Sequence, residues 1–236
     1  MNKERIITRL EKVGLSYVRA GGLPWNRTPF WALRDVSFDL CRGDTLGVIG
    51  RNGAGKSSLL RIVAGIIAPD AGTVHRNQGI RCAMLSIGAG FEARLTGRQN
   101  IMLSGLQLGM NRSLVRERVS QIIELADIGD FIDQPVRTFS TGMRARLGFA
   151  IAYFIETDIL LIDEALATGD EQFRENATSL IRGKIDSDQT VVIVTHSMQI
   201  IESACTRVIQ IEDGHSLPEL SVSETIDRYR ATMQRT

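Results

Sequence analysis

The stretch GVIGRNGAGKSSLLRIVAGI, Gly47 to Ile66, sets Gly47, Gly50, Gly53 and Gly55 between a β-like run and an amphipathic helical one. Gly50, Gly55, Lys56 and Ser57 fit the spacing G-x-x-x-x-G-K-[ST], and Gly53 opens the backbone further. Glycine costs about 0.5–1 kcal/mol inside regular structure, so such a cluster needs a reason. A phosphate supplies one, because backbone N–H groups free of side chains can converge on its oxygens at the positive end of the next helix. On this reading Lys56 reaches the β and γ phosphates and Ser57 binds Mg²⁺. A glycine-rich turn that binds nothing is the plain alternative, but the strand before and the helix after favour phosphate.

The bulk numbers bound what surrounds this loop. With 236 residues, 43% of them apolar, the chain can bury a continuous core, and no repeat or Pro/Ser linker divides it, so one domain is expected. Lys and Arg number 28 against 27 Asp and Glu, a net charge of +1, which lacks the positive field of a nucleic-acid binder. Cys41, Cys82 and Cys205 lie far apart in no metal-ligand spacing, the pattern of buried thiols in a reducing cytosol. The charged start has no signal-peptide block, and no run of 18 apolar residues occurs, so the chain is not expected to cross a membrane by itself.

Strand-like runs fall at Arg34–Leu40, Thr45–Gly50, Arg81–Leu85, Asp158–Asp163, Thr190–Thr195 and Arg207–Glu212. Several are apolar throughout, as parallel strands covered on both faces are. Helical periodicity predicts Lys56–Ile67, with Leu59, Ile62, Val63 and Ile66 inward, and Leu114–Ala126. Thr96 with Gln99 predicts a capping box for a helix reaching about Leu108. Two helices in succession break the β/α alternation, which marks a helical insert. A last helix, Ser223–Met233, is expected to dock through Ile226, Tyr229 and Met233.

Chemistry recurs downstream. The apolar run DILLID ends in Asp163 and is followed by Glu164, two carboxylates at the carboxyl end of a buried strand, where open α/β sheets bind ligands. One carboxylate can hold Mg²⁺ and the other orient an attacking water. His196 follows the strand TVVIVT, again at a carboxyl end, with Thr195 shaping the turn. In FSTGMRARLGFA, Ser140 or Thr141 caps a helix and Gly142 lets its first turn approach an anion closely.

Together these parts resemble the ATP-binding cassette of ABC transporters over essentially the whole chain. GRNGAGKSS stands as Walker A, which adds Asn52, Ala54 and Ser58 to the residues that hold ATP. ILLIDE is Walker B, ATGD at Ala167–Asp170 the D-loop, THS the switch histidine, and FSTGM the signature, with Met143 where the family has glutamine. Tyr17 matches the aromatic that stacks on adenine, with Trp25 or Trp31 as substitutes. The glutamine that usually leads into the helical insert is missing from MLSIGAGFEARLTGRQNI, and Gln99 comes too late to replace it.

The resemblance implies an α/β fold: a P-loop NTPase cassette with a RecA-like core, an antiparallel β subdomain and an inserted helical subdomain over about 88–157. It also implies Glu164 and His196 as catalytic residues, Mg²⁺ on Ser57 and Asp163, and a homodimer in which Ser140 and Gly142 of one copy close over the nucleotide of the other. GAGF, LTGRQN, STGMRARLGFA and DEALATGDEQF are similar to cassettes of lipid-linked polysaccharide exporters, for capsule, O-antigen or teichoic acid. That likeness implies a permease partner, a lipid-linked polysaccharide as cargo, no nucleic acid, and a place at the cytoplasmic face of the inner membrane. Some such cassettes carry a carbohydrate-binding domain after the cassette; this chain reaches Thr236, about forty residues past His196, and is expected to lack one. A P-loop kinase or GTPase has no use for FSTGM, and N-K-x-D motifs are missing. A soluble cassette of DNA repair or translation and a catalytically dead regulatory cassette are the remaining alternatives.

Overall fold

The computed structural model describes residues 5–18, 29–85, 90–163, 173, 179–180, 182–184, 189–195 and 197–234. Five strands carry the centre: β3 (Thr45–Gly50), β5 (Cys82–Leu85), β6 (Ile159–Asp163), β7 (Thr190–Val194) and β8 (Arg207–Glu212). All pair in parallel, in the order β8-β3-β7-β6-β5. Their composition explains this, since β3, β7 and most of β6 are buried at every position. A strand covered on both faces must be apolar on both.

Alternation then sorts β6 and β7 between two cores, while β3 contributes only to the first of them. Leu46 and Val48 of β3, Leu161 of β6 and Val192 and Val194 of β7 share one cluster with Leu59, Leu60, Ile62 and Val63 of α1 (Lys56–Ala64). Leu160, Ile162, Val191 and Ile193 face the other way, into a cluster with the helices α2 (Gly97–Gln107), α3 (Arg112–Ala126) and α4 (Thr141–Tyr153). These helices follow one another between β5 and β6, with no strand among the described residues. Each has a side-chain cap: Thr96 and Gln99 form a reciprocal box, Asn111 accepts from the Leu114 N–H at 2.8 Å, and Ser140 from the Met143 N–H at 3.1 Å. Such caps satisfy N–H groups that a helix start leaves orphaned, each contributing about 1 kcal/mol.

An antiparallel layer extends the sheet through β4 (Ala71–Arg76), β1 (Ile6–Val18) and β2 (Pro29–Cys41). The two-residue β9 (His215–Ser216) joins it to the parallel part, pairing with β2 on one side and β8 on the other. Arg207 reinforces that join: its guanidinium donates to the Asp39 carbonyl at 2.9 Å, to Asp44 at 2.6 Å, and in a fork to Glu219 at 2.6 and 2.8 Å.

A third, small cluster sets Ile201 of α5 (Met198–Ala204) and Ile226 and Tyr229 of α6 (Val222–Gln234) against Ile49 and Val208. Gly47 is required here, since a Cβ at that position would stand 2.8 Å from the Ile201 side chain and 3.0 Å from the Cys205 sulfur. All three cysteines are free and only partly buried, and desolvation raises each thiol, Cys205 to about 12.

Two expected core residues are turned out. Ile66 is 64% exposed because α1 stops at Ala64: Gly65, at φ 76°, and Ile66 donate their N–H groups back to Ile62 and Arg61. Left-handed glycine closes helices in this way. Met233 is 50% exposed, so α6 docks through Ile226 and Tyr229 alone of the three. No bounds were expected for β1, β4, β9 or α5, although the resemblance implied the antiparallel β subdomain to which β1 and β4 belong.

Truncating Leu161 to alanine opens a void in a fully buried site and is expected to cost about 2–5 kcal/mol in urea unfolding. Met233→Ala should change stability by less than about 0.5 kcal/mol in the same assay.

Candidate functional site: a phosphate loop at the sheet edge

β3 runs out of the buried sheet at Gly50 and α1 begins at Lys56, so residues 51–55 form a short turn at the carboxyl end of the strands. Gly53 at φ 80° and Gly55 at φ 97° hold the turn in the left-handed region, which favours glycine. Gly55 has a second reason, because a Cβ there would collide with the Ala32 carbonyl. No side chain caps α1. Its first N–H groups, unlike those of α2, α3 and α4, therefore have no side-chain acceptor, as an anion-receiving helix end requires.

Lys56 is only 6% exposed, and its ammonium donates to the carbonyls of Gly50 at 2.9 Å and Arg51 at 3.1 Å. Asn52 is exposed, and the Ala54 N–H returns to the Arg51 carbonyl at 3.1 Å, tightening the turn. The Ser57 hydroxyl, one residue into α1, donates to Asp163 at the end of β6, 3.2 Å away. A hydroxyl and a carboxylate this close form an all-oxygen pair suited to a hard divalent cation such as Mg²⁺.

Tyr17, at the end of β1, comes from the antiparallel layer. Its hydroxyl lies 3.1 Å from that of Ser58, and the residue remains 38% exposed. Asp70, which no sequence signal singled out, fixes the residue before it by accepting both the N–H and the hydroxyl of Ser16, at 2.7 and 2.9 Å. Those two bonds hold the Asp70 carboxyl below its ordinary value. Trp31, the other described candidate for the aromatic, lines a cavity of about 730 Å³ that also borders the loop at Arg51, Asn52, Gly53 and Ala54.

Residues far apart in sequence thus meet at one edge: Tyr17, the loop 50–58 and Asp163. Ser140 and Gly142 belong to a separate place. They open α4, which packs in the cluster on the opposite face of the sheet from α1, and Ser140 is exposed. Glu164, His196, Trp25 and Ala167–Asp170 lie outside the described residues. β6 and β7, which precede the first two, end side by side with Asp163 paired to Val194, and the Thr195 hydroxyl accepts the Ser197 N–H at 3.1 Å.

A parallel α/β sheet with a glycine turn, a buried lysine and a strand-end carboxylate at its edge defines a P-loop nucleotide-binding protein. The chain belongs to the ABC transporter family, whose profile matches residues 33–167. It is 44% identical over 205 residues to the O-antigen export system ATP-binding protein RfbB of Klebsiella pneumoniae, covering 86% of this chain and 82% of that one. It is 43% identical over 200 residues to the teichoic acids export ATP-binding protein TagH of Listeria monocytogenes, covering 85% of this chain and 59% of that longer one. The fold matches the dimeric ATP-binding cassette MJ0796 in its post-hydrolysis state with ADP and Pi at a TM-score of 0.75. That match has 21% identity and covers 92% of this chain and 99% of that one.

Gly55→Ala forces a side chain into a left-handed, closed position. It is expected to destabilise the chain by about 1–3 kcal/mol in denaturant titration, and to lose nucleotide binding in calorimetry.

Proposed function

We propose that this chain is the ATP-hydrolysing subunit of an exporter that moves a lipid-linked polysaccharide, capsular or O-antigen, across the inner membrane. The observation that carries the reading is the phosphate loop joined to Asp163 through Ser57, in a chain over 40% identical to proteins named for O-antigen and teichoic acid export. Teichoic acid export is the second reading, favoured by the second of those relatives.

The loop's N–H groups at Asn52, Gly53, Gly55 and Ser58 receive the phosphates, with Gly50 and Ala54 shaping the turn, and Lys56 neutralises the β and γ oxygens. Tyr17 stacks on the adenine from the antiparallel layer. Ser57 and Asp163 hold Mg²⁺, which, when bound, offsets the charge of the phosphoryl oxygens. Glu164 orients the attacking water, and His196 steadies the γ-phosphate.

Ser140 and Gly142 close the site from a second copy. Their place across the sheet from α1 supports this, since each chain then presents a phosphate loop and a signature end to different halves of a homodimer. ATP favours the closed pair over the open one, and hydrolysis withdraws that preference. Motion passes to a permease through the surface beside the helical insert, taken as about 88–157, at roughly 87–108. Exposed Leu106 and Leu108 give that surface apolar contact area. No helix among the described residues is long and apolar enough to cross a membrane, which suits a peripheral subunit at the cytoplasmic face.

Glu164→Gln is expected to form an ATP-dependent dimer on size exclusion with little phosphate release; brisk hydrolysis by that variant removes Glu164 from its role. Lys56→Ala should abolish MgATP binding in calorimetry. In cells lacking the protein, a lipid-linked glycan should accumulate inside, and an unchanged envelope glycan sinks the exporter reading.

A further inference from the structure

The terminal helix reaches the phosphate loop. Tyr229 of α6 is buried, and its hydroxyl donates to the Gly50 carbonyl at 3.4 Å, across 179 residues of chain. The same carbonyl accepts the Lys56 ammonium at 2.9 Å. The two side chains therefore share one acceptor, the lysine close and the tyrosine at the outer limit of a hydrogen bond.

Everything around this contact is fixed. Gly50 ends β3 in register with Ile211 of β8, and a Cβ on it would collide with the Ile211 carbonyl, so the acceptor has little room to move. On the other side, Arg228 ties α6 down by donating to Gln210 at 3.0 Å and to the Pro218 carbonyl at 3.1 Å. The Tyr229 ring packs with Ile49, the residue before Gly50, and with Ile226 and Ile201. Helix docking alone explains the ring; it does not explain a hydroxyl aimed at the first residue of the loop.

We propose that Tyr229 is a positioning residue for nucleotide binding: its hydroxyl takes over the Gly50 carbonyl when phosphate oxygens draw the Lys56 ammonium toward them. This rests on the phosphate reading of the loop. A buried carbonyl that loses its donor carries a desolvation cost, so a second donor waiting at 3.4 Å makes the lysine cheaper to release. Without the hydroxyl, Lys56 is the carbonyl's one side-chain donor among the described residues, and drawing it away opposes binding.

The test is Tyr229→Phe, which keeps the ring and its packing, assayed in the full chain. Dissociation constants for MgADP and MgATP come from calorimetry, kcat and KM from phosphate release, and the nucleotide-free melting temperature from scanning calorimetry. The expected result is nucleotide affinity weaker by about fivefold and KM raised to match, from the loss of one hydrogen bond. The kcat should stay within about twofold and the nucleotide-free melting temperature within about 2 °C of the parent, as a change confined to one exchanged donor requires. Unchanged affinity overturns the inference while leaving the site reading intact. Weaker affinity with a matching fall in kcat and in nucleotide-free melting temperature overturns it too, by assigning the hydroxyl a merely structural part. A parent chain that binds no nucleotide removes the site reading on which the inference rests.

Discussion

An ammonium held almost out of water on the carbonyls of its own loop is the constraint to which the rest of the molecule answers. A buried cation is tolerated only when hydrogen-bonded, and Lys56 is bonded to Gly50 and Arg51. Those carbonyls converge because β3 stops abruptly and two left-handed glycines turn the chain back into α1. The strand can deliver that turn to a fixed point because it lies mid-sheet, covered on one face by the α1 cluster through Leu46 and Val48 and on the other by the small cluster around Ile49. Rigid scaffold and polar loop are in this sense one device: close packing positions the carbonyls, and the carbonyls position the charge.

The phosphate loop was legible because its signal is local. Glycine spacing, the lysine and the flanking apolar runs lie within a few residues, and the fold gathers them into one turn between β3 and α1. The same holds for the Thr96 and Gln99 box and for the parallel strands, whose unbroken apolar runs have few other uses. β1 and β4 were illegible for the converse reason. β1 is interrupted by register shifts and by Lys12 at φ 50°, which scrambles its alternation, and β4 is a mostly exposed edge with little apolar content. Ile66 was misjudged because periodicity carries on past Gly65, whereas the backbone does not.

The site shows the same division. Tyr17, Lys56, Ser57 and Asp163 were named from the sequence and gather at one edge. Asp70 and the hydroxyl of Tyr229 were missed, since each acts through a partner 54 and 179 residues away, and no spacing within one chain announces such a pair. Ser140 and Gly142 were also named, yet they open α4, whose apolar side packs in the other cluster. On the proposed reading the two motifs of one chain serve different sites, and a place across the sheet from α1 is compatible with that.

The seam between the antiparallel layer and the parallel sheet carries one more consequence. Strand pairing crosses it through the two residues of β9, but Leu33, Val36, Phe38 and Leu40 of the antiparallel layer share one buried cluster with Leu46, Val48 and α1, so apolar packing carries most of the join. On the proposed reading the adenine rests on one side of it and the phosphates on the other, so the nucleotide itself acts as a strut. Its arrival would add a polar brace to a join that the free chain makes chiefly by apolar packing.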